Sequence, residues 1–458
     1  MDHTVSPPSA LCADAPPAAA QETVAARLGA FVAGTDVARM PAAVVALARS
    51  RLLDACATAI AARGLPVPTV ACAFVGNAAG AASVIGQAQR VPAADAAFVN
   101  ATLVNGCTHD DFLAKSHAGA VAIPAALAAA EECGASGADL LAAVVAGYEV
   151  TARAYRGAPG MLPRFRATGV PGAVGAAAAA ARALRLGPVA TAQALGLGAM
   201  FASGFGEGFV AGTMDVKLNV GWASRSGVSA ARLAACGATS APTVFEGASG
   251  FFAAFGDSTA DAGAALHGLG ERFLIEDTVY KERPVCIFVQ TPVQLARTLA
   301  GEPGFDAGRI EAVRIRAPMA TLTNPGYRNV APFATQLQAR ISARFTVAAA
   351  LLGRPVDTYR YFDNLGDADV LALAERIELL PPGGDDTVVV QVQSAGRTFE
   401  AAGVEMDHLL PTADKVLAKF RRLTADLAPG RADRLLAELS DLEARPDVAG
   451  LAAALRDL

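Results

Sequence analysis

The stretch VPGAVGAAAAAARALRLG, residues 170–187, decides the fold class. Six consecutive alanines, flanked by glycines and closed by Arg182, Arg185 and Gly187, read as a helix that other helices can approach closely, because alanine is the best helix former and carries almost no side chain. Gly187 followed by Pro188 marks one helix ending and the next beginning. Working outward, the same texture recurs over 41–63, 93–104, 123–132, 147–156, 189–204 and 221–236, separated by short Gly/Pro punctuation. Of the 458 residues, 53% are hydrophobic, 18% charged and 6% aromatic. That balance excludes a disordered chain and favours small-residue helices over a β-rich sandwich. The expected fold class is therefore mainly α.

Beyond residue 270 the pattern changes. IEAVRIRA (310–317), RIELL (376–380) and VVVQVQ (388–393) alternate apolar and polar residues, with GGDD (383–386) as a turn, and so read as strands. Helices at 290–300, 339–352 and 369–375 lie between them, which predicts a smaller α+β segment. From 412 onward amphipathic helices return, as in DKVLAKFRRLTADL (414–427). The expected division is a flexible tail over 1–22, a large helical domain from 23–268 and 405–458, and a smaller α+β domain over 269–404.

A net charge of −5 without any basic run excludes a nucleic-acid or anionic-membrane footprint. The apolar stretches are interrupted by Arg, Glu or Gly, which favours buried helices over membrane spans despite a positive mean hydropathy. Seven scattered cysteines with no CxxC pair predict reduced thiols in the cytoplasm. The first residues, MDHTVSPPSALCADAPPAAAQ, have two acids and no basic n-region, and do not read as a secretory signal. No GxxxxGK[ST] or GxSxG occurs, and GFGEG (204–208) follows no strand of a βαβ unit, so nucleotide and serine-hydrolase chemistry lose support.

The densest polar cluster is NGCTHDDFLAKSHAG (105–119), where His109, Asp110, Asp111, Lys115 and His117 fall within nine residues between apolar helices. Such a loop can supply a general base, the carboxylate that orients it and an anion ligand; a solvated, helix-capping loop is the plainer alternative. Two His and two Asp can also ligate a metal, but neither H-E-x-x-H nor facial-triad spacing is present, and no metal is expected. Arg164 and Arg166 precede Thr168 and Gly169 at a helix start, a place suited to a substrate carboxylate, with Thr168 as a simple cap the competing reading. Lys217 and Asn219, ahead of the only tryptophan, Trp222, suit carboxylate binding and donation to an enolate oxygen. Tyr148, five residues before Arg153, is a candidate acid or base, a buried structural tyrosine being its default. Glu246 suits capping or pairing, and His3, His267 and His408 stand alone.

In chain order, NGCTHDD with HAGAVAIPAALA, GYEVTAR, TGVPGAVGAAAAAARALRLG, KLNVGWASRSGVSAA with FEGASGFFAAFG, YKERPVC and SARFTVAAALL resemble the MmgE/PrpD family, over roughly residues 25–410. That family includes 2-methylcitrate dehydratases, cis-aconitate decarboxylases and iminodisuccinate epimerases. The resemblance implies a large all-helical domain made from both chain ends, an inserted α+β lid, a homodimer, and a cleft between domains that uses no metal or organic cofactor. Asp110 and Asp111 stand for the paired acids of D-[FY]-D-D-T, and His117 for the histidine of H-P, with Ala118 replacing the proline. F-H-x-T-G is represented by Phe165-Arg166-Ala167-Thr168-Gly169, an arginine in place of a histidine, and Lys217 matches the family's active-site lysine. In the late Y-P-x-C-x-x-x-H element, Arg283-Pro284-Val285-Cys286 leads to Gln290, a second histidine lost. Together these readings give an expected catalytic set of His117, Asp110, Asp111, Lys217 and Tyr148, with Arg166, Thr168, Asn219, Cys107, Lys115 and Lys281 expected to bind substrate. The expected activity is a lyase acting on a small polycarboxylate, with proton abstraction beside a carboxylate followed by loss of water or carbon dioxide. A two-base epimerase, with Tyr148 or Lys217 facing His117 or Cys107, and a non-catalytic carboxylate binder are the alternatives.

Overall fold

Small residues set how closely the helices approach. In the computed structural model, which describes residues 22–384 and 387–458, the helix Gly169–Ala183 buries every residue except Arg182. A Cβ at Gly175 would lie 1.8 Å from Thr151 Oγ1, one at Gly147 2.6 Å from Ala122 Cβ, and one at Gly227 2.4 Å from Ala176 Cβ. The helices Ala118–Cys133, Gly137–Arg156 and Asp215–Ala235 therefore pack around that central helix at glycine–alanine distance. The mainly α class is as the composition predicts. The expected tail, with His3 and Cys12, lies outside the described residues apart from Glu22.

Several helices begin earlier than their apolar runs suggest. The one read at 147–156 starts at Gly137, capped by the Ser136 hydroxyl, which accepts the Asp139 N–H. The one read at 221–236 starts at Asp215, which places Lys217 in its first turn. The single helix expected at 339–352 is two, Gln336–Ile341 and Ala343–Leu351. Ser342 between them is extended (φ −76, ψ 120) and its hydroxyl accepts the Phe345 N–H, capping the second segment.

The larger sheet has four strands in the order Ile377–Leu380, Ile310–Arg316, Thr387–Ser394, Arg397–Val404. The first pair is parallel and the others antiparallel. Ala395 and Gly396 turn the last hairpin with positive φ at both residues. The strand Arg397–Val404 escaped the sequence reading because an edge strand tolerates the polar and small residues that blur alternation. A two-residue ladder, Ala82–Ser83 with Arg90–Val91, was also missed.

The buried side chains gather into three clusters. One joins Leu52, Val99 and Leu127 to Phe420, Leu435 and Leu455 of the C-terminal helices. A second packs the helices Ile287–Ala300 and Ala343–Leu351 on the sheet, and it includes Phe112 from the polar loop. A third surrounds Leu28, Val150 and Phe245. Among the described residues no single helix is long and apolar enough to cross a membrane.

Candidate active site

The loop between the helices Ala93–Gly106 and Ala118–Cys133 turns sharply, with Thr108, Ala114 and Lys115 at positive φ. A β-branched threonine at φ 54 costs energy and persists only where its surroundings impose it. Three lysines from distant parts of the chain do so. Lys217 Nζ donates to Thr108 Oγ1 (2.8 Å), Lys281 Nζ to Thr108 O (3.1 Å) and Lys419 Nζ to His109 O (2.6 Å).

Asp110 is buried at the centre of the loop. Its Oδ2 accepts from Asn105 Nδ2 (2.7 Å) and faces His117 Nδ1 (3.1 Å), while Oδ1 lies 3.7 Å from Lys281 Nζ. Burial opposes ionisation here, but His117 and Lys281 outweigh it and hold the carboxyl well below the ordinary range. The same His117 Nδ1 is 2.9 Å from the Asp111 carbonyl. A carbonyl only accepts, so Nδ1 carries the proton and Nε2 presents a lone pair. Burial lowers His117 to about 4 against the pull of Asp110, so the imidazole is neutral near pH 7. Its side chain keeps 16% exposure while that of Asp110 keeps 1%, which makes the imidazole the open end of the pair.

Asp111 faces the other way. Tyr148 Oη donates a short hydrogen bond to Oδ2, and the Gly119 N–H at the start of the next helix donates to Oδ1 at 3.1 Å. Burial raises this carboxyl to about 6. Tyr148 is fully buried, and burial together with Asp111 pushes the phenol well above its ordinary value. Tyr148 stands here as a buried donor that fixes Asp111.

The cations converge on the same place. Lys217 Nζ donates to Asn105 O (2.6 Å) and Asn105 Oδ1 (3.1 Å) as well as to Thr108, and burial with nearby Arg340, Lys281 and Arg166 pushes its amine well below the ordinary range. Arg166 Nη2 reaches Asn105 Oδ1 at 3.4 Å, and its guanidinium lies 5.5 Å from the Phe209 ring. Burial lowers it to about 10, and its Nε and Nη1 are buried without a hydrogen-bond partner. Thr168 holds the N-cap position of the helix Gly169–Ala183 but makes no side-chain capping bond; its hydroxyl instead accepts the His117 N–H at 3.2 Å. Burial lifts the Cys107 thiol to about 11 and keeps it protonated.

Two candidates lie off this network. Asn219 Nδ2 donates to Ser203 O, and its amide packs so tightly that a Cβ at Gly169 would be 2.0 Å from Oδ1. Lys115 sits 5.0 Å over the Phe288 ring rather than beside Asp110. Arg164 pairs with Asp257 at the surface, Arg153 with Glu149, and Glu246 accepts the Val24 N–H. His109 is buried, its imidazole pushed well below the usual value by burial. Gln290 donates to the Arg283 and Val285 carbonyls.

The sequence reading passed over Asn105, which binds Asp110, Lys217 and Arg166 at once, and Arg340, which lies in the mixed polar and apolar stretch QLQARIS (336–342). Asn105 opens the quoted cluster, five residues before Asp110, and an asparagine ending a buried apolar helix was the available signal. A surface cleft of about 560 Å3 beside Arg63, Cys72 and Arg360 is lined by none of these residues, so the site is defined by buried polar geometry rather than cleft size. Among the described residues no three His, Cys, Asp or Glu side chains are grouped to hold a metal ion.

Two family models match the chain: the MmgE/PrpD N-terminal domain over residues 26–262 and the MmgE/PrpD C-terminal domain over residues 284–443. No curated protein matches it.

Proposed function

The chain belongs to the MmgE/PrpD family, membership that supports dehydratase, decarboxylase or epimerase-type activity in general, and from that premise we propose that it is a cofactor-independent lyase acting on a small polycarboxylate. The observation that carries this reading is the state of His117: a neutral imidazole whose Nδ1–H is fixed by Asp110 and the Asp111 carbonyl, leaving Nε2 as a base. Nε2 takes the proton α to a substrate carboxylate, and the C–H electron pair moves into that carboxylate as an enediolate. Arg166, whose Nε and Nη1 are free to donate, and Lys217 are the groups this reading assigns to that charge, since preorganised cations in a water-poor site stabilise it strongly. Collapse of the enediolate expels a β-hydroxyl as water, the imidazolium supplying the leaving proton; in the decarboxylating course, on an unsaturated acid, the imidazolium returns its proton at the far end of the delocalised enediolate, the shifted double bond takes up the C–C electron pair as carbon dioxide leaves, and a proton from solvent water quenches the carbanion. Asp110 stabilises the imidazolium in either course. The smaller α+β segment, 269–404, acts as the lid in this reading, and the enzyme works as a cytoplasmic homodimer.

One observation favours an epimerase as the second reading. Lys217 is buried with its amine held well below the ordinary range, so it can act as a second proton carrier facing His117. Proton NMR in deuterated water, without added metal, separates the two over citrate-like, aconitate-like and aspartate-derived acids. New vinyl resonances with substrate loss support the lyase. Washout of the α-proton alone supports the epimerase, and silence across the panel contradicts both.

A further inference from the structure

Arg340 lies on the helix Gln336–Ile341 and is 2% exposed. Its Nε donates to Pro284 O at 2.6 Å, and its guanidinium stands 4.4 Å from the Tyr359 ring and 5.7 Å from that of Phe362. Such a shelf fixes the direction of a planar fork. Its Nη2 is buried and has no hydrogen-bond partner. Among the buried arginines of the described residues, Arg153 pairs with Glu149 and Arg283 with Asp357, each at 2.8 Å, whereas Arg51 and Arg166 have no carboxylate within 4.0 Å. Arg340 has no carboxylate within 4.0 Å among the described residues.

The local charge is unbalanced. Lys217, Lys281, Arg166 and Arg340 all lie within electrostatic reach of one buried carboxylate, Asp110. Buried cations of this kind are stable when an anion completes them. A single substrate carboxylate near His117 can use the free N–H groups of Arg166, but the Nη2 of Arg340 belongs to another residue on a different element, and it calls for another oxygen. Resting on the carboxylate-site reading above, we infer that Arg340 holds a second carboxylate of the substrate. The proposed polycarboxylate then lies with one end beside His117, Arg166 and Lys217 and the other on a guanidinium positioned from the sheet-bearing part of the chain.

Calorimetric titration of the full chain with tricarballylate, glutarate and butyrate, which carry three, two and one carboxylates on related carbon chains, tests this. Wild type should bind glutarate more tightly than butyrate. Arg340→Met should weaken tricarballylate and glutarate by about 100-fold and butyrate by less than about 2-fold, with Arg340→Lys in between. Arg166→Lys should weaken all three. With a turned-over acid, Arg340→Lys should raise KM and leave kcat within a few-fold. Circular dichroism checks the fold, and if Arg340→Met is unfolded the comparison rests on Arg340→Lys and Arg340→Gln. Equal loss of glutarate and butyrate assigns Arg340 a structural role and overturns the inference, as does unchanged glutarate affinity or a wild type that binds none of the three. Discriminating binding without α-proton exchange would instead sink the lyase reading and leave the Arg340 assignment standing.

Discussion

Asp110 and Asp111 are neighbours in sequence and opposites in chemistry. Asp110 is kept ionised by the cations around it and orients His117, whereas Asp111 is raised to about 6 by burial and faces Tyr148. Asp110→Asn should lower kcat by about 100-fold or more through loss of imidazole orientation, with KM changed by only a few-fold, in steady-state kinetics on the acid the NMR panel identifies. Because the base must be unprotonated, kcat/KM should hold from neutral pH downward and fall as the pH approaches about 4, where free-enzyme His117 gains its proton. Stability is linked to the same groups with opposite signs. His117 is lowered from 6.5 to about 4, so between those values the unfolded chain binds more protons and stability rises with pH. Asp111 is raised from 3.8 to about 6, so over that window the folded chain binds more protons and stability falls with pH. Each effect is on the order of 3 kcal/mol, and they largely cancel. Asp111→Asn removes the second alone, so its urea-unfolding free energy should fall further behind wild type as pH drops from 6 to 4; a constant gap contradicts the assignment. At this scale the gathering of Asp110, His117 and Lys217 into one buried network was legible as a candidate, because they crowd a short polar loop or match a motif. Arg340 was not, since a residue that joins distant segments leaves no local signal, and Asn105 carried only its place at the end of an apolar helix. The partner of Tyr148, the Asp111 carboxyl, was not legible either, because sequence alone does not show what a phenol is buried against.

Elements hold the loop in place. A Cβ at Gly119, at the start of the helix Ala118–Cys133, would lie 2.3 Å from Tyr148 Oη and 2.7 Å from Asp111 Oδ1. Gly119→Ala should therefore cost about 1–3 kcal/mol by urea unfolding, whereas Gly187→Ala, with open space and no positive φ, should cost less than about 0.5 kcal/mol. Lys419, from the C-terminal helix Ala413–Leu423, pairs with Asp54 at 2.8 Å and holds the His109 carbonyl. Lys419→Met leaves that buried carboxylate uncompensated and should cost about 3–5 kcal/mol; a loss below about 1 kcal/mol in the same measurement would contradict the clamp. Helix existence was legible from apolar and alanine-rich runs. Helix starts were not, because caps such as Ser136 and Ser342 are polar residues whose role depends on backbone geometry.

At the scale of the molecule, an acidic chain concentrates positive charge in one buried place. The polar loop sits where two cores meet: Phe112 belongs to the sheet-bearing cluster, while Leu113 and Ala118 belong to the helical one. The C-terminal helices return to that helical cluster and bring Lys419 beneath the loop. The helical class and the α+β segment were legible because periods of 3.6 and 2 are properties of the local sequence. The junction itself was not, since it is made by side chains more than a hundred residues apart, Asn105 with Lys217 and Asp110 with Lys281. The most direct test of His117 as the base is exchange of the substrate α-proton in deuterated water, measured by NMR for wild type and His117→Gln with ligand binding followed alongside. The expected result is unchanged binding within a few-fold and exchange slowed by about 1000-fold or more; exchange at the wild-type rate would contradict it and move the base to another residue.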